Sequence, residues 1–290
     1  MSRLLTHPGD VPDLVLAIQG ARDIRSLAYD SVEKLIYWID FGSKRHNRIS
    51  INRAYDNGTL VKRTKVLSSS EEDNSGALFQ PHDIVIDSFH RLLFWNDEAT
   101  NVINILSLNA SNQDVEDLTK IGHLLPNDPD HKPRAMALHS RKGLIFWVNS
   151  AQPVRIERAN MDGSGKMIVV QKQLEVPTDL AIDEADDLLF WIDIDLQRIE
   201  RADLDGSNRK VLISGSAHID VSLGLVAVQE HYVYWAVRSS ESIKRVHKIS
   251  GGEVQTVKSK VVHLSTLISV KAETRLVNPC QGIYPLCIQN

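Results

Sequence analysis

The sequence predicts an all-β chain folded as a six-bladed β-propeller whose sixth blade is incomplete. Three observations carry this prediction. Five tryptophans each stand second in an aromatic tetrad: YWID at 37–40, FWND at 94–97, FWVN at 146–149, FWID at 190–193 and YWAV at 234–237. The Trp-to-Trp intervals are 57, 52, 44 and 44 residues, and a repeat of roughly 40–50 residues carrying several strand patterns is the footprint of a propeller blade. A run related to P-x-x-L-A-I-D precedes every tetrad, and segments ending in Asp-Gly or Asn-Gly follow three of them.

The elements follow in chain order within each repeat. The first is an innermost strand, read at 24–30, 81–87, 133–139, 177–183 and 222–228, whose period of two and small apolar residues suit a crowded axis. The tetrad strand comes next. Its Trp stands eight residues after Asp30, Asp87, His139 and Asp183, and seven after Val228, so a hairpin of fixed length joins the two. The third strand is clearest in RIERANMDGSG at 155–165 and RIERADLDGSN at 198–208, with a looser copy at 48–59. Asp162-Gly163, Asp205-Gly206 and Asn57-Gly58 supply the positive φ of a tight turn into an outer strand. Each blade is thus expected to have four antiparallel strands, with Trp38, Trp95, Trp147, Trp191 and Trp235 packed between blades. A sixth blade begins with LSTLISV at 264–270, but no tetrad follows it. The chain start is expected to supply a third strand at Arg3 to Thr6 and an outer strand at Leu14 to Ile18, leaving the second strand missing.

Composition limits the function. With 42% hydrophobic and 24% charged residues and a formal net charge of −4, the chain reads as a packed globular domain, and no basic stripe marks a nucleic-acid partner. Residues 1–10 contain no apolar run of the kind a signal peptide needs, and the sequence holds no stretch of about 18 apolar residues that would span a membrane. No direct membrane insertion is expected of these residues.

This order of tetrads, inner strands and RIERAxxDG segments resembles the class B (YWTD) repeats of the low-density-lipoprotein receptor, over nearly the whole chain. The family's fold is a six-bladed propeller followed by an epidermal-growth-factor-like (EGF-like) module, so the resemblance implies a propeller at 1–277 and a truncated EGF-like start at 278–290. Asp40, Asp97 and Asp193 end their tetrads as the family's acid does. Phe94, Phe146 and Phe190 replace Tyr, Asn149 replaces the acid, and Ala236-Val237 ends the fifth tetrad without one, changes expected to weaken individual bonds between blades. EATNVIN at 98–104 and VHLSTLISVK at 262–271 are similar to the fourth, membrane-proximal propeller of the low-density-lipoprotein receptor-related Wnt co-receptors. In that family a further strand fills the gap at blade six, so Met1 is expected not to be the natural start and the chain to be a fragment. The resemblance places it in the extracellular part of a single-pass plasma-membrane receptor, next to further propeller and EGF-like modules.

Cys280 and Cys287 are the only cysteines. The expectation is a disulfide between them, the alternative being two free thiols. Asn57-Gly58-Thr59 and Asn109-Ala110-Ser111 meet the N-glycosylation rule, and both stand at turns before an outer strand, which would put sugars on one end of the ring.

A search for catalysis finds no H-E-x-x-H and no C-x-x-C. Gly163-Ser164-Gly165-Lys166 lacks the earlier glycine and the helix of a phosphate loop, and the segment at Asp203–Ser207 has Leu212 where a calcium loop needs Glu. The histidines show no spacing that gathers three metal ligands. No enzyme, cofactor or metal is therefore expected; a central-metal lactonase-type propeller would need acids converging on the axis. Function should instead sit where loops of different blades converge at one end. The loops after the tetrads bring Phe41, His46, Glu98, Asp195 and Glu241 to the end that also carries Arg25, His82, Arg134 and Thr178 from the inner-strand starts. That ring suits a protein ligand. The resemblance implies Wnt or Dickkopf-type proteins; the second possibility is an endocytic propeller that releases cargo on histidine protonation.

Overall fold

A computed structural model of the chain describes residues 2–4, 14–16, 23–42, 49–55, 64–68, 79–108, 122–124, 130–220, 224–261 and 266–270. Five four-stranded antiparallel sheets follow one another along it, in the orders β3-β4-β5-β6, β7-β8-β9-β10, β11-β12-β13-β14, β15-β16-β17-β18 and β19-β20-β21-β22. Blade 1 runs from the inner strand β3 (Ile24–Asp30) through the tetrad strand β4 (Leu35–Asp40) and β5 (Ser50–Tyr55) to β6 (Thr64–Ser68). Blade 2 comprises β7 (Pro81–Asp87), β8 (Leu92–Asp97), β9 (Val102–Ser107) and the short β10 (Gly122–His123). Blade 3 comprises β11 (Pro133–His139), β12 (Leu144–Asn149), β13 (Arg155–Asn160) and β14 (Met167–Val170). Blade 4 comprises β15 (Pro177–Asp183), β16 (Leu188–Asp193), β17 (Arg198–Asp203) and β18 (Lys210–Ser214). Blade 5 comprises β19 (Val226–Gln229), β20 (Tyr232–Val237), β21 (Ser242–His247) and β22 (Gly251–Lys258).

The tetrad explains the radial packing. Successive side chains of a strand point to opposite faces of the sheet, so the Tyr or Phe of each tetrad faces one neighbour and the Trp faces the other. Phe146 of blade 3 lies in one cluster with Trp191 of blade 4, Phe190 with Trp235, Tyr37 with Trp95 and Phe94 with Trp147. Each interface therefore receives one ring from either side. All five indoles are at most 2% exposed; burying one removes about 150–250 Å² from water, or about 4–6 kcal/mol of transfer free energy. Trp38 is the exception in kind. It sits in a small cluster with Ile36 and Ala54 of its own blade, because no four-stranded sheet precedes it.

The expectation of six blades is corrected by this arrangement: the described residues form five complete blades. At the chain start, β1 (Ser2–Leu4) pairs antiparallel with β2 (Leu14–Leu16), the two strands expected there, as a separate two-stranded sheet. Residues 266–270, read as part of an inner strand, carry no strand. An inner strand faces the axis on one edge, so its ladder comes from the second strand of its blade, and among the described residues no strand pairs with 266–270. The EGF-like tail with Cys280 and Cys287, and the glycosylation positions Asn57 and Asn109, lie outside the described residues.

Blade 5 also departs from the expected frame. Val226 pairs with Trp235 and Gln229 with Tyr232, whereas in blade 2 Ile84 pairs with Trp95 and Asp87 with Leu92. Gln229, not Val228, occupies the station of Asp87, and the hairpin is two residues shorter. Asp87 Oδ1 accepts the N–H groups of Phe89 and His90 at 3.0 and 3.1 Å, and Asp30 serves Val32 likewise at 3.1 Å. With the turn shortened, blade 5 has no such N–H pair for an acid to hold.

Candidate ligand-binding end of the propeller

Strand register fixes which loops share an end. Pro177 pairs with Asp193 and Asp193 with Arg198, whereas Leu188 pairs with Asp203. The starts of inner strands and the ends of tetrad strands thus lie at one end, and the Asp-Gly turns lie at the other, as expected. Gly163 (φ +86) and Gly206 (φ +88) hold those turns. At Gly206 a Cβ would stand 2.0 Å from the Val169 carbonyl oxygen of the preceding blade, so the turn needs glycine for space as well as for φ.

The tetrad acids organise the first end. Asp97 accepts from the backbone of Gln80 at 3.0 Å and of Ala99 at 2.9 Å, and Asp193 from Glu175 at 2.9 Å and Leu196 at 3.0 Å. Each acid ties the chain entering its blade to the loop leaving its second strand. These bonds lie within a blade, which corrects the expectation that they join blades. Asn149 does the same work: its Oδ1 accepts from Lys132 at 2.9 Å and its Nδ2 donates to the Asp130 carbonyl at 3.0 Å. Blade 5, without an acid, reverses the arrangement, and Asp220 of the entering loop accepts from Ser239 at 2.7 Å.

Two groups of the expected side chains come together on this scaffold. The Arg25 guanidinium lies 4.2 Å from the centre of the Phe41 ring and 3.2 Å from the Asp23 carboxylate. Across blades 2 and 3, Glu98 stands 3.2 Å from Arg134 Nε and 3.8 Å from His82 Nε2, with the three side chains between 27% and 43% exposed. This is a mixed-charge patch that spans an interface and keeps donors and an acceptor facing solvent. Thr178 turns inward instead and donates to the Gly224 carbonyl at 3.1 Å, which makes it a blade-to-blade tie. Asp195 and Glu241 are exposed at the same end, away from these two groups. His46 lies outside the described residues.

Beneath this end stand two acids that sequence reading did not single out, although PHDIVID and PTDLAID both carry them third in the inner strand. Asp83 accepts from Ser26 Oγ of blade 1 at 2.6 Å and from the Met136 backbone of blade 3 at 2.7 Å. Asp179 accepts from the Val226 backbone of blade 5 at 2.8 Å. Loss of solvent raises the pKa of both carboxyls, and the negative charge of Asp83 pushes Asp179 up further. Each bridges inner strands of neighbouring blades, which accounts for its place without a ligand. Among the described residues no group of three or more His, Cys, Asp or Glu side chains converges to hold a metal ion.

Comparison with known proteins places this architecture. Residues 143–184 and 187–226 match the pattern of the low-density lipoprotein receptor repeat class B. Low-density lipoprotein receptor-related protein 5 of Mus musculus is 36% identical over 99% of this chain, and that of Homo sapiens 34% identical over the same share. The chain spans 17% of the length of these relatives. The vitellogenin receptor Yl of Drosophila melanogaster is 25% identical over 78% of the chain and 10% of its own length. Among solved structures, a chain of a nidogen/laminin complex superposes with a TM-score of 0.68 at 23% identity, covering 86% of this chain and 85% of that one. A streptogramin B lyase superposes with a TM-score of 0.57 at 11% identity, covering 83% and 70%; these two likenesses show the fold alone. Tetrads, blade order and the match over 99% of this chain to receptor sequences agree, and the chain carries repeats of the low-density lipoprotein receptor class B type.

Proposed function

We propose that the chain is an extracellular, non-enzymatic binding module of a single-pass receptor of the Wnt co-receptor type, and that it engages secreted proteins of the Wnt or Dickkopf class. The match over 99% of its length to low-density lipoprotein receptor-related protein 5 carries this reading. The likeness of EATNVIN at 98–104 to the membrane-proximal, fourth propeller supports the finer assignment. The docking platform is the end carrying Arg25, Phe41, His82, Glu98 and Arg134, where a half-exposed guanidinium on an aromatic ring and a shared carboxylate offer the anchors that protein interfaces favour. The test is surface-plasmon binding of a purified Wnt and a Dickkopf protein to this propeller joined to its neighbouring modules, alongside Arg134→Glu, which places two acids together. Loss of binding of at least tenfold in the variant supports the reading; no binding of either protein to the parent removes it.

A second reading, an endocytic propeller that releases cargo in acid compartments, draws on the similarity to the vitellogenin receptor and on His82 beside Glu98. Protonated His82 would compete with a cationic ligand group for Glu98. Cargo affinity measured at pH 7.4 and 5.5 separates the two readings, because equal affinities exclude the acid release.

A further inference from the structure

We propose that the rim of blade 3 is a second docking site, which takes an extended peptide strand of alternating acidic and aliphatic residues from another protein. It lies on the circumference, away from the end discussed above. The argument comes from comparing blade 3 with blade 4, whose third strands share the sequence RIERA. Eleven residues after each first arginine stand Lys166 in blade 3 and Arg209 in blade 4. Arg209 closes its rim: its guanidinium bonds Glu200 at 2.7 and 2.9 Å, reaches the carbonyls of Lys172 at 2.5 Å and Gln173 at 2.9 Å, and lies 5.1 Å from the Trp191 ring centre.

Lys166 leaves the same place open. Its Nζ is 3.5 Å from Glu157 and 5.9 Å from the Trp147 ring centre. A groove of about 400 Å³ remains, lined by Arg155, Glu157, Lys166, Met167, Ile168 and Gln171. Three features of it fit the stated partner. Met167 and Ile168, 38% and 46% exposed, are consecutive and so face opposite sides of their strand, Ile168 on the side of Glu157, with which it pairs, and Met167 on the other. Their strand, β14, is the last of its sheet, so its outer edge can accept a further strand.

Charge complementarity selects an acidic partner. Glu157 already receives Arg155 Nε at 2.6 Å, Trp147 Nε1 at 2.9 Å and Asn149 Nδ2 at 3.2 Å. Burial would raise its pKa, but the bond from Arg155 and the charge of Lys166 outweigh this and hold it low, so it stays ionised and neutralises only one of the two cations. Lys166 therefore keeps donors for the carboxylates on one side of an alternating partner strand, while the aliphatic residues on its other side cover Met167.

The test uses the full chain and two fluorescein-labelled hexapeptides, Glu-Val-Glu-Ile-Glu-Val and its counterpart with Lys in place of Glu, in anisotropy titrations. The expected result is saturable binding of the acidic peptide, at least tenfold tighter than the lysine peptide. Lys166→Arg, which keeps the charge but fills the groove as in blade 4, should weaken it at least tenfold, as should Met167→Thr, with melting of both variants unchanged. In the NMR spectrum the indole N–H resonance of Trp147 should shift on peptide addition. Equal binding of both peptides, or acidic-peptide affinity untouched by Lys166→Arg and Met167→Thr, overturns the proposal. Dimerisation of the peptide-free chain that Lys166→Arg abolishes would assign the rim to a second copy and also overturn it.

Discussion

Replacing Trp147 by Phe should destabilise the propeller more than replacing Trp191 by Phe, although both indoles are 0% exposed at equivalent stations. The two substitutions delete the same atoms from the same kind of interface, so the transfer and cavity contributions cancel in the comparison. The ring cations nearly cancel too, with Lys166 5.9 Å from one ring and Arg209 5.1 Å from the other. His131 packs edge-to-face on Trp147 with ring centres 5.6 Å apart, a contact a Phe ring in the same place can keep, so what chiefly differs is the indole N–H. Trp147 Nε1 donates to the buried Glu157 carboxylate at 2.9 Å, and a hydrogen bond to a charged group contributes about 1.5–3 kcal/mol. Trp191 Nε1 is buried with no acceptor among the described residues, while both oxygens of Glu200 accept from Arg209 at 2.7 and 2.9 Å; a desolvated donor left unpaired costs about 1–3 kcal/mol. Trp147→Phe loses a bond and Trp191→Phe removes a penalty. Glu157 retains Arg155, Lys166 and Asn149 in the variant, so the low end of both ranges applies and the gap should be about 2.5 kcal/mol. At about 2–4 °C per kcal/mol for a chain of this size, Trp147→Phe should melt about 5–10 °C below Trp191→Phe by circular dichroism. Equal melting temperatures, or the reverse order, would show that the indole N–H does not set the difference.

Two further outcomes test the axis and the turns. The raised pKa of Asp179 means the folded chain binds this proton more tightly than the unfolded one; the cost of the charge is full above the folded value and relieved as pH falls through it. His90, raised by its bond to Asp87, adds stability that is full below its unfolded value and lost as pH rises through its folded one. Both act in the same direction, so melting at pH 5.5 should lie above that at pH 7.5, and Asp179→Asn should shrink the difference; a difference of unchanged size would refute the assignment. For the turns, Gly206→Ala should cost about 3 kcal/mol or more, since φ +88 and a backbone oxygen 2.0 Å from the new Cβ both oppose it. Gly143→Ala, at φ +62 with nothing within 4 Å, should cost only about 1 kcal/mol, and denaturant midpoints that rank the pair the other way would contradict the steric reading.

The sequence determined everything that repeats. Trp and its aromatic neighbour must face opposite sheet faces, Asp-Gly must turn, and a fixed Asp-to-Trp distance must close a hairpin, so strands, blade order and the shared loop end were all legible along the chain. That Arg25, Phe41, His82, Glu98 and Arg134 share one end followed from that order, because loop end depends only on strand direction; which of them touch came from the structure. Tertiary structure decided what depends on partners distant in sequence. Among the described residues five blades form and none pairs with 266–270, and the frame of blade 5 was set by the pairing of Gln229 with Tyr232, where sequence spacing pointed to Val228. Thr178 reads as a loop residue until Gly224 of the next blade offers its carbonyl, and Asp83 and Asp179 read as strand residues until curvature brings inner strands within reach of their carboxylates. The rim of blade 3 makes the same point: Lys166 and Arg209 look interchangeable in sequence, and only the carbonyls within reach of the longer, forked side chain make one rim closed and the other open.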